Sequence, residues 1–208
     1  MTRPRREWPS ATGRSARYDE PRSTVRQDAR FLVTIEGNEF TDREFRRGVW
    51  RQTATTVALI TAVNEDGQAN VMACEWAMMV SHSPMHFVVS VGPHHVTFPM
   101  IEQSGEFGLS FCSDQQANLS HISGSFSMRD TDKWSLAAFP TYPGKFIRPP
   151  LIEGSLLNVE CKVISTQPLG DHTVFTAEAL WVKYDADTSP LIYHAGKYFH
   201  LGEQVPKE

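Results

Sequence analysis

The sequence predicts a mainly β domain that folds as a closed or nearly closed antiparallel barrel with a few short helices. About seven or eight segments show the apolar, β-branched and aromatic pattern of strands, and the helical patterns are few and short. Two long alternating segments near the C-terminal end are separated by QPLGDH, which is typical of a hairpin. Parallel strands need long crossover connections, so this order of segments favours antiparallel pairing over a parallel α/β sheet.

Composition and charge limit the class of protein. With 208 residues, 40% of them hydrophobic, the chain is long enough for one globular domain with a substantial core. The formal net charge of −4 argues against a general nucleic-acid binder. The sequence has neither an apolar stretch of membrane-spanning length nor the apolar centre of a secretory signal, so we expect a cytoplasmic protein without a membrane partner.

The charge is unevenly distributed, and this predicts a boundary near residue 30. Residues 1–30 contain eight arginines and four acidic residues, a net charge of +4, whereas residues 31–208 carry −8. A segment so rich in Arg, Ser and Pro, with so little apolar surface, cannot offset the entropy lost on ordering. We therefore expect residues 1–30 to be a flexible Arg-rich segment and residues 31–208 to form the barrel domain.

The first half of the domain shows a helical pattern followed by four strand patterns. Thr41 and Glu44 fit a reciprocal capping pair, which predicts an amphipathic helix over residues 41–52. The predicted strands cover residues 56–63, 68–75, 85–92 and 106–113. We expect the second extended segment to carry Trp76 and to lead into a loop at residues 81–84.

The second half of the domain is more plainly β. Short helical patterns begin at Thr97, cover residues 115–122, and recur around Lys133. The predicted strands cover residues 156–166, 173–184, 191–195 and 198–201. The first two of these strands flank QPLGDH, and we expect them to pair as a hairpin within a curved sheet.

The sequence lacks the usual short catalytic motifs. There is no dinucleotide-binding fingerprint, phosphate loop or nucleophile elbow. Cys74, Cys112 and Cys161 are odd in number and far apart, so we expect free, mostly buried thiols. His94 and His95 would point to opposite sides of an extended backbone, so we expect anion contacts or surface groups rather than a metal site.

Five residues have a plain structural interpretation beside a functional one. Thr97 either contributes to an anion site, with the free N–H groups of a helix start, or merely caps that helix. Lys133 either belongs to a site or is an exposed lysine that pairs weakly with a neighbouring acid. His172 would ordinarily be a solvated turn residue, and Trp76 and Phe199 would ordinarily be core.

Several stretches occur in the order found in one family. They start near Phe45 and continue through VALITAVNEDGQANVMACEW, SHSPMHFVVSVGPHHVTFPMIEQSGEF, SFSMRDTDKW and LIYHAGKYFHLGE. Over about three quarters of its length the chain resembles the flavin reductase-like family of flavoredoxin type. The resemblance implies an FMN-binding split β-barrel of antiparallel Greek-key topology, and a homodimer with the flavin near the subunit interface.

The resemblance also implies which residues bind the cofactor. It places Thr97, with His95 or neighbouring backbone amides, on the flavin phosphate. It places Lys133, His172 and Phe199 around the ring or its side chain. The complete implied set is Asn70, Met72, Ala73, Cys74, Trp76, His95, Thr97, Ser127, Lys133, His172 and Phe199.

The chain departs from the family pattern at two positions. His95 stands where relatives often have arginine, which predicts a weaker and pH-sensitive hold on the phosphate. Ser127-Met128-Arg129 stands where many relatives have Ser-Gly-Arg, which predicts an altered loop above the flavin.

The implied activity is that of an FMN-binding flavoprotein oxidoreductase. Such a protein takes hydride from NADH or NADPH and passes electrons to an acceptor or releases reduced flavin. An alternative is a flavoredoxin-type electron-transfer protein that a protein partner reduces, and a third is a similar barrel that binds another ligand, such as haem. Because the flavin carries the reaction, we expect no catalytic acid, base or nucleophile. We expect Lys133 to favour the negative charge on the reduced ring and so raise the flavin potential.

Overall fold

The computed structural model describes residues 35–38 and 40–207. The Arg-rich segment expected at residues 1–30 lies outside the described residues. Within the described part, twelve strands and four α-helices form a mainly β domain, as the sequence predicts. No helix in this part is both long and apolar enough to span a membrane.

The helices are short and the strands vary in length. The helices are α1 (Arg43–Trp50), α2 (Thr97–Ser104), α3 (Ala117–Ser125) and α4 (Lys133–Leu136), with a 3₁₀ turn at Asp114–Gln116. The first six strands are β1 (Ala54–Thr56), β2 (Ala58–Val63), β3 (Ala69–Cys74), β4 (Ala77–His82), β5 (Met85–Val91) and β6 (Glu106–Phe111). The remaining strands are β7 (Thr141–Tyr142), β8 (Leu151–Ile152), β9 (Leu157–Leu169), β10 (His172–Tyr184), β11 (Ile192–His194) and β12 (Lys197–Phe199).

Seven antiparallel strands form the main sheet, in the order β3-β2-β6-β9-β10-β5-β4. The predicted hairpin is confirmed as β9–β10, although β9 extends to Leu169 and only Gly170 and Asp171 remain in the turn. Gly170 has φ of 64°, a conformation that a residue without Cβ adopts without strain. Two bulges in this long pair curve the sheet.

The sheet curls around an apolar core until its two ends approach each other. Ile60, Phe107 and Phe175 are fully buried in this core. The Cys74 Sγ lies 3.8 Å from the Ser90 carbonyl oxygen, so β3 and β5 lie close together without forming a strand pair. The barrel is therefore nearly closed, as predicted, and no strand among residues 40–207 pairs with the outer edge of β3 at the opening, which we call its free edge.

A second, smaller core lies outside the barrel wall. It contains Leu59 and Val71 from the sheet, Ile122 from α3, and Leu191. The strands β1, β11 and β12 form a three-stranded sheet beside it. This small sheet joins the segment that precedes β2 to the segment that follows β10.

Residues 140–155 cover another part of the barrel wall and are held by buried polar groups. The fully buried Glu160 carboxylate accepts the backbone N–H groups of Lys145 (2.8 Å) and Phe146 (2.6 Å). A Cβ on Gly108 would collide with the Thr61 hydroxyl and with Leu151, so only glycine permits this close approach.

Two predicted elements differ from the structure. The first helix begins at Arg43, and its cap is Asp42, whose carboxylate accepts the Phe45 N–H at 2.6 Å; Thr41 is therefore not the cap. The extended segment expected to carry Trp76 ends at Cys74, and a new strand β4 covers Ala77–His82, so only Ser83 and Pro84 remain of the loop expected at residues 81–84. The reason is a change of partner, because the chain after the bend pairs with β5 instead of β2.

Candidate functional site

The free edge of β3 is the centre of the candidate site. Lys133 Nζ donates to the Val71 carbonyl at 2.6 Å, and Trp134 Nε1 donates to the Ala69 carbonyl at 2.9 Å. Alternate residues of an edge strand turn their backbone groups to the same side, so Ala73 also presents its N–H and C=O to this edge. These groups can bind a polar planar ligand.

Four cavities lie along β3, and we name each by its lining. The Trp134 cavity has a volume of about 540 Å³ and is lined by Gln68, Met128, Asp132, Trp134 and Pro150, among others. The basic cavity, of about 270 Å³, is lined by His94, His95, Thr97, Arg129 and Lys133, among others. The aromatic cavity, of about 160 Å³, includes Trp50, Glu75, Trp76 and His172. The tyrosine cavity, of about 240 Å³, includes Glu75, Ser120, His121, Tyr193 and Tyr198.

The four cavities share lining residues, and small side chains form the boundaries between them. Ala73 lines the basic, aromatic and tyrosine cavities. Gly124 lies opposite, and a Cβ placed there would be 3.4 Å from the Ala73 Cβ. The basic and Trp134 cavities share Asn70, Met128 and Lys133. A single elongated ligand can therefore lie along the edge of β3.

The basic cavity has the properties of an anion site. Its lining residues include two histidines, an arginine and a lysine, but no acidic residue. Thr97 is the first residue of α2 and is fully buried, and its hydroxyl oxygen accepts Asn70 Nδ2 at 2.8 Å. The hydroxyl hydrogen stays available to donate to a ligand. The interpretation of Thr97 as a mere cap is wrong, because the cap is Val96 and makes no side-chain bond.

The two adjacent histidines lie on the same side of the chain. Their ring centroids are 4.1 Å apart, so the prediction that they point in opposite directions is wrong. The reason is that His94 and His95 occupy a turn before α2 instead of a strand. Burial lowers the pKa of His95, and the neighbouring charges of His94, His172, Lys133 and Arg129 lower it further. His95 is therefore predominantly neutral at neutral pH.

Lys133 is buried, so its interpretation as an exposed, ion-paired lysine is wrong. Its relative exposure is 4%, and Nζ donates to the carbonyls of Val71 (2.6 Å) and Ser123 (3.2 Å). Burial lowers the pKa of Lys133 to about 8. The nearby Asp132 caps α4 through the Trp134 N–H instead of pairing with the lysine.

We call the four adjoining cavities along β3 the groove. Aromatic side chains line the part of the groove that lies away from the Trp134 cavity. Trp76 is 47% exposed and therefore is not a core residue. Its ring packs edge-to-face on His172, with centroids 4.6 Å apart, and His172 Nδ1 lies 2.8 Å from the Asp171 carboxylate. His172 is thus the first residue of β10 at the groove, not a freely solvated turn residue.

Most of the residues expected at a site are brought together. Those in the aromatic or basic cavity are Asn70, Met72, Ala73, Cys74, Trp76, His95, Thr97, Ser127, Lys133 and His172. Phe199 is not among the lining residues of the four cavities. It lies on β12, is 44% exposed and faces His194, with centroids 6.2 Å apart. The interpretation of Phe199 as core is also wrong.

Sequence reasoning missed several residues of the groove. Glu75 lies between two predicted residues, and its adjacency to Trp76 was the available signal. Trp50, Tyr193 and Tyr198 come from distant segments, and no local pattern links them to β3. The predicted free thiols are confirmed, because Cys74, Cys112 and Cys161 are buried and unpaired.

The fold and the cavities define a class of protein: a split antiparallel barrel with a basic cavity that suits an anionic group. The description "Flavin reductase like domain" applies to the family whose model matches residues 50–202. This match spans most of the chain, and the protein belongs to that family, as the resemblance predicted.

Individual relatives support the same conclusion. The chain is 27% identical over 157 residues to a flavin reductase of Pseudomonas putida, covering 76% of this chain and 89% of the relative. It is 27% identical over 169 residues to an NADH-dependent flavin reductase of Rhodococcus, covering 78% and 88%. Among solved structures, it is similar to the styrene monooxygenase flavin reductase of Pseudomonas putida S12, with a TM-score of 0.67, 25% identity, and coverage of 77% and 99%.

Proposed function

We propose that this protein is a flavoprotein oxidoreductase that takes hydride from NADH or NADPH onto FMN and passes the electrons onward. The main supporting observation is the outer edge of β3, along which a cavity with four basic and no acidic lining residues adjoins an aromatic cavity. An FMN molecule has the matching order of groups, with a dianionic phosphate at one end and a planar ring at the other. The names of the relatives agree with this activity.

The residues of the groove fit FMN group by group. Thr97 and the first N–H groups of α2 bind the phosphate, with His95 and Arg129 beside them. The backbone of Ala73 orients the polar side of the ring, while Trp76 and His172 enclose it. Lys133 supplies a buried positive charge that favours the reduced ring. Bound flavin supplies the hydride-accepting chemistry.

Anaerobic titration of the flavin-loaded protein with NADH and NADPH tests the proposed reaction. We expect the absorbance of oxidised flavin to bleach in a stopped-flow experiment with at least one of the two nucleotides. An oxidised spectrum that persists under excess of both nucleotides would contradict the reductase activity and favour reduction by a protein partner.

The choice between FMN and FAD is tested separately. The Trp134 cavity adjoins the basic cavity and leaves space beyond the phosphate position. We propose FMN as the bound form, and we expect FMN to bind at least as tightly as FAD in a fluorescence titration. Markedly tighter binding of FAD would show that this space is used.

We also propose that the chain forms a homodimer and delivers its electrons to an acceptor protein. Three consecutive residues of the edge strand β4 are apolar and exposed: Met78 (59%), Met79 (42%) and Val80 (50%). An apolar sheet edge of this kind is usually covered in solution. The structurally similar styrene monooxygenase flavin reductase is named for its oxygenase, and we infer an oxygenase as the acceptor here.

A further inference from the structure

Glu75 lies where the aromatic and tyrosine cavities meet. It lies in the bend between β3 and β4 and lines both the aromatic and the tyrosine cavities. It is the only acidic residue among the lining residues of the basic, aromatic and tyrosine cavities. Of these three cavities, the one proposed for the phosphate has four basic lining side chains, and the Glu75 carboxylate lies in the other two.

One oxygen of the Glu75 carboxylate has no partner among the described residues and is open to solvent or a ligand. Trp50 Nε1 donates to Oε2 at 3.0 Å, and within the described residues Oε1 has no hydrogen-bond partner. The side chain is half-buried, and desolvation raises its pKa. A carboxylate in this state gains stability from a ligand that brings positive charge or N–H donors.

The walls around Glu75 fit a flat ring with a polar substituent. Tyr193 and Tyr198 pack with ring centroids 5.1 Å apart, and they line the tyrosine cavity beside Glu75. The Tyr198 hydroxyl lies 3.0 Å from the Ser120 hydroxyl, so both are placed to bond a polar group. A nicotinamide ring has this combination of a flat face and a carboxamide.

We propose that Glu75 contacts the nicotinamide ring and stabilises the positive charge that the ring gains during hydride transfer. This inference rests on the proposed function. In that reaction the C4–H bond of the dihydronicotinamide breaks, and hydrogen leaves with both electrons to form an N–H bond at flavin N5. The nicotinamide passes from neutral to singly positive, and the flavin ring gains one negative charge. A carboxylate near the nicotinamide favours the first change, and a lysine near the flavin favours the second.

The nicotinamide ring is positively charged in NAD⁺ and neutral in NADH, so a comparison of the two affinities tests the proposal. We expect Glu75→Gln to weaken binding of NAD⁺ to the flavin-loaded protein by about fivefold and to change binding of NADH by less than about twofold. Calorimetric titration measures the two affinities with NAD⁺ and with tetrahydro-NAD, which stands in for NADH because its ring is also neutral but cannot transfer hydride to the flavin. Glu75→Asp keeps the charge and should preserve the ratio of the two affinities found for the wild type.

A matched control removes a carboxylate that does not line the groove. Glu153 is exposed and pairs with Lys183 at 2.9 Å, so Glu153→Gln should leave the ratio of the two affinities unchanged. The inference is overturned if Glu75→Gln changes both affinities equally or changes neither. If the wild type binds neither nucleotide and its flavin is not bleached, the proposed function fails together with the inference. Comparison of thermal unfolding curves shows whether each variant is folded.

Discussion

The hydroxyl of Thr97 illustrates how one buried atom can serve both structure and ligand. Its oxygen accepts a bond from Asn70, which leaves its hydrogen for the phosphate. We expect Thr97→Val to weaken FMN binding by about tenfold, because one hydrogen bond to a charged group is lost. Riboflavin lacks the phosphate and should bind within about twofold of its original affinity.

Fluorescence quenching of the two flavins measures this difference. Thr97→Ser retains the hydroxyl and should retain most of the FMN affinity. Equal losses for FMN and riboflavin would remove Thr97 from the phosphate site.

We expect His95 to take up a proton when the flavin phosphate binds beside it. Its pKa is lowered by burial and by the four neighbouring basic groups named above, so the free protein holds it neutral near pH 7. A bound dianion raises this pKa, so FMN binding should take up protons, and FMN affinity should increase as the pH falls through the pKa that His95 has in the complex. Calorimetry in buffers of different ionisation enthalpy measures the uptake. At about pH 6.5, where Lys133 with its pKa of about 8 is already protonated, His95→Gln should remove most of the uptake. Equal uptake by the variant and the wild type at this pH would show that His95 does not face the phosphate.

Lys133 should also affect the bound flavin. Replacing it with methionine removes a buried positive charge, so we expect the midpoint potential of bound FMN to fall by about 20 to 90 mV. Spectroelectrochemical titration measures the potential. Lys197 is exposed on β12, and Lys197→Met provides a control whose potential should remain that of the wild type. An unchanged potential in Lys133→Met would place the lysine away from the ring.

At the scale of elements, Lys133 ties α4 to β3 and α3. Its pKa in the folded protein is about 8, whereas lysine in an unfolded chain has a pKa of about 10.4. Between these values the unfolded chain binds more protons, so the contribution of Lys133 to the free energy of unfolding increases with pH.

This sign gives a stability test on the flavin-free protein. The free energy of unfolding of the wild type, relative to Lys133→Met, should increase by up to about 3 kcal/mol from about pH 8 to about pH 10. Urea denaturation at several pH values measures the difference. Parallel pH profiles for the two proteins would show that Lys133 titrates as a solvated group.

Local patterns predicted elements whose partners are close in sequence. The β9–β10 hairpin and the helix that starts at Thr97 were both predicted, because turn chemistry and periodicity are local signals. The separation of β4 from β3 was not predicted, because an apolar run does not reveal where a strand changes its partner. Most of the groove residues came from the family resemblance, whereas Trp50 and Tyr198 became visible only when distant segments met.

At the scale of the whole molecule, the apolar edge of β4 should decide the oligomeric state. We expect the double variant Met78→Glu, Val80→Glu to convert a dimer to a monomer, since two buried charges at a symmetric interface oppose association. Analytical ultracentrifugation gives the mass. Phe146 is also apolar and 63% exposed, on the segment that covers the barrel wall, and Phe146→Glu should leave the dimer intact. A monomeric wild type would contradict the proposal.

The pairing of β1 with β11 fixes the order in which the groove can be completed during synthesis. Ala54 pairs with His194, so this small sheet cannot form until the chain as far as His194 has left the ribosome. The basic cavity uses residues 70–133, which emerge much earlier. The tyrosine cavity, with its two tyrosines, is therefore the last to assemble, and closing so long a loop slows that step.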